Sequence, residues 1–187
     1  MSKKYHKIKP IQTEINIETE RLNSPTYGKV SIPEMLRLIK DYYNKTLDKG
    51  TKFSIIVGTD SQTFSTYSKF VPVITCTREG SGGIYFYRLD YVNKVEDVRK
   101  KLNYETQLSL LFADTILSIL ESEEEFEELY LNSNFSIHVD AGDSEKGKTR
   151  DLIQGIVGWI KGTIPDIEVY TKPESFASSC VADRLSK

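Results

Sequence analysis

The segment Phe53 to Thr59, FSIIVGT, is apolar or β-branched on both of the faces a strand would present. A strand with one wet face alternates, so a continuous run of this kind belongs inside a sheet covered on both sides. That commits the chain to an α/β layered fold. Two more strand-like runs follow, Phe70 to Thr77 (FVPVITCT) and Ile84 to Leu89 (IYFYRL). The glycine-rich break Gly80-Ser81-Gly82-Gly83 between them reads as a hairpin turn. A long helix is expected from about Val95 to Leu120, running into the acidic stretch Glu123 to Glu128, a solvated face or loop. A strand at Phe135 to Asp140, a helix from Thr149 to Lys161, a short strand at Ile167 to Tyr170 and a closing helix from Pro173 complete the pattern. The order β-β-β-α-β-α-β-α implies a mixed five-stranded sheet flanked by helices.

An N-terminal helical extension precedes this core. Ser31-Ile32-Pro33-Glu34 opens a helix whose apolar face is Met35, Leu36, Ile39 and Tyr42/Tyr43, and Gly50 is expected to end it. Residues 1–27 read as a loosely organised arm, basic in MSKKYHKIKP and then carrying Ile11, Ile15 and Ile17 before Ser24-Pro25. Residues 28–187 are expected to form a single domain.

Composition narrows the class. No apolar run approaches the roughly 18 residues of a membrane span, and the basic start lacks the apolar stretch of a secretion signal. The two cysteines, Cys76 and Cys180, form no C-x-x-C pair and no His/Cys cluster of the kind zinc requires. They are expected to be free, buried thiols, which fits a cytoplasmic location. A net charge of −2 provides no global footprint for nucleic acid. It leaves open an enzyme that meets a phosphate backbone through a local basic rim and metal ions.

The long helix contains an anomaly. At 100° per residue, Val98, Leu102, Phe112, Ile116, Ile119 and Leu120 share one stripe, and Glu105 falls near its centre with Ser109 beside it. A carboxylate aimed at a core is costly unless it is paired or binds a metal. Three more acids occupy telling places. Asp60 ends the first strand in IIVGTDSQ, and Asp140 ends the fourth in SIHVD. Asp183 continues a polar stripe with Ser175 and Ser179 in the closing helix. Strand ends of an α/β sheet meet in one crevice, which would gather these acids. Carboxylates crowded together repel, so they imply bound cations, and oxygen-only ligands select Mg²⁺ or Mn²⁺.

Element order and acid placement together resemble the ribonuclease H-like superfamily, and more closely the YkuK-type family of predicted RNase H-like nucleases. The matching segments are GTDSQ, REGSGGIYFY, LNYETQLSL, HVDAGDSEKGKTRDLIQGIVGWIKG and KPESFASSCVADRLSK, from about residue 28 to the end. The resemblance implies a catalytic metal site of Asp60, Glu105, Asp140 and Asp183, taking Mg²⁺ or Mn²⁺ and acting on DNA or RNA. Ser61, Gln62 and Lys172 are its candidate substrate contacts, with a solvated loop lysine as the alternative reading of Lys172. His138, two residues before Asp140, shares that residue's face and reads as a supporting residue rather than a general base. Gln62 stands where the proofreading-exonuclease branch carries the second acid of D-x-E, which disfavours that branch.

Two other readings compete. One is a non-catalytic nucleic-acid-binding or interaction module that kept the fold. The other is a nucleotide-binding P-loop, because residues 142–149, GDSEKGKT, match that pattern in full. Too little chain follows Thr149 for a P-loop core, and Asp140, Asp143 and Glu145 crowd negative charge where phosphates would sit. Gly142 and Gly147 are better read as relaxing a turn, with Thr149 able to cap the next helix.

Overall fold

The computed structural model describes residues 7–47, 52–142 and 148–172. In chain order the elements are β1 (Arg21–Ser24), β2 (Gly28–Ser31), α1 (Ile32–Lys45), β3 (Phe53–Thr63), β4 (Tyr67–Arg78), β5 (Gly83–Tyr87) and β6 (Asp90–Asn93). They continue with α2 (Val98–Ser122), a 3-10 turn (Glu124–Phe126), α3 (Glu127–Asn132), β7 (Ser133–Gly142), α4 (Lys148–Thr163) and β8 (Glu168–Lys172). The expected closing helix, with Cys180 and Asp183, lies outside the described residues, as do residues 143–147 of the P-loop-like stretch.

All the strands join one mixed sheet, ordered β2-β1-β5-β4-β3-β7-β8, with β6 also paired to β4. The five strands expected from the sequence form the contiguous run β5-β4-β3-β7-β8, with β8 at the edge, and three short strands enlarge the sheet on the other side. The β3–β4 hairpin is long, antiparallel from Phe53↔Arg78 to Thr63↔Ser68. β7 joins β3 in parallel, from Phe53↔Ser133 to Thr59↔Val139, and β8 joins β7 in parallel.

β5 and β6 lie along β4 in a single continuous register, with Val73↔Tyr87 and Phe70↔Asp90. Their separation has a local cause. Arg88 falls opposite Pro72 and donates its N–H to the Pro72 carbonyl at 3.1 Å. Proline has no N–H to return, so one rung of the ladder is missing there. The turn between β4 and β5 is the expected glycine break, with Gly80 and Gly82 both at φ 75°, where other residues are strained.

One face of the sheet carries the main core. Ile55 and Val57 of β3, Ile74 and Cys76 of β4, Phe86 of β5 and Ile137 of β7 are fully buried beneath α1, α2 and α4. α1 begins with a reciprocal cap. The Ser31 hydroxyl accepts from the Glu34 N–H, and the Glu34 carboxylate accepts from the Ser31 N–H at 2.7 Å. Such a cap contributes about 1 kcal/mol. The helix stops at Lys45, before Gly50, where Thr46 Oγ1 turns back to the Tyr42 carbonyl at 2.9 Å.

Two details differ from expectation. Val98 is 73% exposed, because it opens α2 before the helix reaches the sheet, while Leu102, Phe112, Ile116, Ile119 and Leu120 are buried. α4 begins at Lys148, so Thr149 lies one residue inside the helix rather than at its cap. The acidic run is solvated as expected, but Phe126 and Leu129 within it are buried and tie the segment down.

Candidate active site

β3 and β7 are paired as far as Thr59↔Val139, so Asp60 and Asp140 are the next residues of adjacent parallel strands. Strand alternation turns both away from the α2 side, at the carboxyl ends where α/β sheets present their crevice. Gly58↔His138 precedes them in the same register. β4 stays paired to β3 for four residues more, through Thr63↔Ser68, so the hairpin stands beyond the end of β7 beside the crevice.

α2 brings Glu105 to this end of the sheet from the opposite face. Ser61 Oγ donates to Glu105 Oε1 at 2.5 Å. One turn on, Ser109 Oγ lies 2.9 Å from both Thr59 Oγ1 and the Glu105 carbonyl, which fixes the helix on the strand. Burial raises the Glu105 carboxyl to about pH 8, the Ser61 hydrogen bond opposes this, and the charges of Asp60 and Asp140 raise it further against Lys101. Glu105 therefore senses both strand-end acids. Asp60 Oδ1 accepts the Ser61 N–H at 2.7 Å.

Asp140 has a cation on it. Lys172, at the end of β8, places its Nζ 2.5 Å from Asp140 Oδ1. That oxygen accepts no well-aligned hydrogen bond, so the contact is an ion pair held by proximity and charge. Lys172 is thus a half-exposed, ion-paired residue at a strand end rather than a free loop lysine. A bulge on β7 between Val139 and Gly142 accommodates the pairing of Gly142 with Lys172.

His138 is 8% exposed, its Nδ1 has no hydrogen-bond partner, and its ring meets Tyr170 edge-on at 5.2 Å. Burial lowers its pKa to about 4, so at neutral pH it is an uncharged packing group. Ser61 is engaged with Glu105. Gln62 lies opposite Lys69 on β4, and its Oε1 is buried without a partner.

Lys69 was not singled out from the sequence. It is 9% exposed, its Nζ stands 5.6 Å over the Phe64 ring, and burial lowers its pKa while the Asp60 charge raises it. Its signal was a lysine at the head of an otherwise apolar strand, one residue before the expected start at Phe70.

The structure thus brings Asp60, Glu105 and Asp140 to one end of the sheet, with Asp183 outside the described residues. Among the described residues, no group of three or more His, Cys, Asp or Glu side chains is gathered tightly enough to hold a metal ion. The donor set, carboxylates alone, is of the chemistry that suits Mg²⁺ or Mn²⁺.

A mixed sheet with acids at the ends of two adjacent parallel strands and on the crossing helix defines a class. The chain belongs to the ribonuclease H-like family, whose profile matches residues 34–187, and within it to the YkuK type. It is 28% identical over 169 residues to the uncharacterized protein YkuK of Bacillus subtilis, covering 86% of this chain and 93% of that one. No solved structure matches the chain. Among the described residues, no helix is long and apolar enough to cross a membrane.

Proposed function

We propose that the protein is a divalent-metal-dependent nuclease that hydrolyses phosphodiester bonds in nucleic acid at the crevice of Asp60, Glu105 and Asp140, with Asp183 as a fourth acid. The observation that supports this is positional: Asp60 and Asp140 follow the last paired residues of two adjacent parallel strands, and Glu105 is hydrogen-bonded to Ser61 beside them. Buried carboxylates near one another are costly, and a divalent cation relieves that cost. When bound there, Mg²⁺ or Mn²⁺ supplies Lewis-acid stabilisation of phosphoryl oxygens and lowers the pKa of water.

The chain's own groups have separate tasks. Asp60 and Asp140 present oxygen donors from rigid, adjacent strands, and Glu105 presents a third from α2. Ser61 holds the Glu105 carboxyl in place through its 2.5 Å hydrogen bond. Gln62 carries an uncommitted acceptor beside Lys69 and is suited to contact a substrate group. Lys172 neutralises Asp140 while no cation is present. Loading the site requires that ion pair to open and Glu105 to ionise, so metal binding should release protons.

The experiment is a cleavage assay on labelled DNA, RNA and DNA–RNA hybrid with Mn²⁺ or Mg²⁺. Metal-dependent cleavage that falls to background in Asp60→Asn and Asp140→Asn supports the reading, and cleavage indifferent to both substitutions overturns it. A second reading, a nucleic-acid-binding module without catalysis, is favoured by one observation: Lys172 already occupies Asp140. Retained binding without cleavage on every substrate would select it.

A further inference from the structure

A net charge of −2 means that any contact with a phosphate backbone must be local. The described residues contain such a place. A cleft of about 740 Å³ lies between residues 7–20 and the strands β1 and β6, on the α2 side of the sheet. Lys7, Lys9, Arg21, Lys29 and Arg88 line it, against the carboxylates Glu14, Glu20 and Asp90. Five cations against three acids reverse the sign of the chain as a whole.

The outer wall is the basic N-terminal segment. Lys9 donates its N–H to the Tyr91 carbonyl at 2.9 Å, and Ile11 packs on the buried group Phe70, Val92 and Leu108. Ile15 packs against the main core. The floor is Arg88, 7% exposed, with its guanidinium 4.8 Å over the Phe112 ring. It is ion-paired to Glu20 at 2.9 Å and to Asp90 at 2.6 Å, yet its Nε–H has no partner. Glu20 and Asp90 are held by Arg88, Lys9 adds its charge at Asp90, the Arg21 guanidinium is bonded to the Glu18 and Glu20 carbonyls at 2.8 Å, and the rim cations Lys7, Lys9, Arg21 and Lys29 are exposed.

The cleft lies near Glu105, on the α2 side of the sheet, with the buried Phe70 and Leu108 between them. Ser61, which bonds Glu105, pairs with Phe70 on β4, and Phe70 pairs with Asp90 on β6. Two strand spacings, roughly 10 Å, therefore separate Ser61 from the cleft floor. Along α2, Glu105, Leu108 and Phe112 share one side of the helix, so Arg88 sits about 10 Å along the axis from Glu105.

We infer that this cleft, walled by the N-terminal segment, is the track that holds one strand of the polynucleotide, about 10 Å from Glu105. The inference rests on the nuclease reading for its direction, but its binding chemistry stands apart from the metal. Single-strand affinity falls with salt by a slope set by the number of phosphates neutralised.

The test measures anisotropy of a fluorescein-labelled 20-mer single-stranded DNA on the full chain in EDTA, across a salt series. The triple variant Lys9→Gln/Arg21→Gln/Lys29→Gln removes exposed cations only. It should weaken binding at least tenfold and flatten the log–log salt slope by about 2. The control Lys45→Gln/Lys52→Gln/Lys161→Gln removes the same charge elsewhere and should retain the slope. Unchanged affinity and slope in the cleft variant, equal losses in the control, or no binding by the wild type would each overturn the inference. Cleft-dependent binding with no cleavage under any metal upholds the track while removing the nuclease reading.

Discussion

Two buried clusters of acid in this chain are built on opposite terms. At Arg88, two carboxylates, Glu20 and Asp90, share one guanidinium lying on the Phe112 ring. Burial raises the Asp90 carboxyl, but Arg88 pulls it back. At Glu105 the side-chain donor found among the described residues is a neutral hydroxyl, and the charges of Asp60 and Asp140, opposed by Lys101, add to the cost of burial. The first cluster supplies its own cation and is structural. In the second, Lys172 pairs with Asp140 and Lys69 feels the charge of Asp60, but Glu105 itself is met by a hydroxyl, and the metal proposal rests on that difference.

The largest effect should come from stripping the first cluster. Arg88→Met strands two partly buried carboxylates, and equilibrium urea unfolding should show a loss of about 3–5 kcal/mol. A loss below about 1 kcal/mol would mean the two clusters are not so different.

The second cluster should respond in the opposite direction. Burial pushes the Glu105 carboxyl up from its ordinary 4.5 to about 8. The folded state therefore holds the proton more tightly, and ionisation works against folding as pH rises from 4.5 through 8. Glu105→Gln removes that penalty. In EDTA it should match wild type near pH 4.5 and gain roughly 2 kcal/mol by pH 9, a value discounted for the residue's partial exposure. The same variant should lose any thermal shift that Mn²⁺ gives the wild type.

The smallest change in stability is expected at Lys172→Ala. Its half-exposed ammonium contributes less than about 1 kcal/mol to the fold through Asp140. Removing a competitor for Asp140 should nonetheless tighten Mn²⁺ binding, measured by calorimetry. Weaker binding would make Lys172 a partner of the site rather than its occupant.

What could be read from the sequence follows the same divide. β3, β4, β5, β7 and β8 were legible because their burial is written in β-branched and aromatic runs. β1 (RLNS), β2 (GKVS) and β6 (DYVN) were not, since four polar-rich residues carry no periodicity and owe their strand state to the neighbours they pair with. A turn signal did exist at Ser24-Pro25-Thr26-Tyr27-Gly28, where Gly28 has φ 75° and closes the β1–β2 hairpin. Asp60, Glu105 and Asp140 were legible as acids out of place. The Lys172–Asp140 pair was not, because it depends on how β8 is registered against β7, and neither was the Arg88 cluster, assembled from residues 68 apart.

The central claim is that Asp60, Glu105 and Asp140 converge on a divalent cation. An anomalous difference map from a crystal soaked in Mn²⁺ tests it most directly. The account predicts a peak ligated by Asp60, Asp140 and Glu105, with Lys172 withdrawn from Asp140. A crevice that remains empty at saturating Mn²⁺, with the Lys172–Asp140 pair intact, would contradict it.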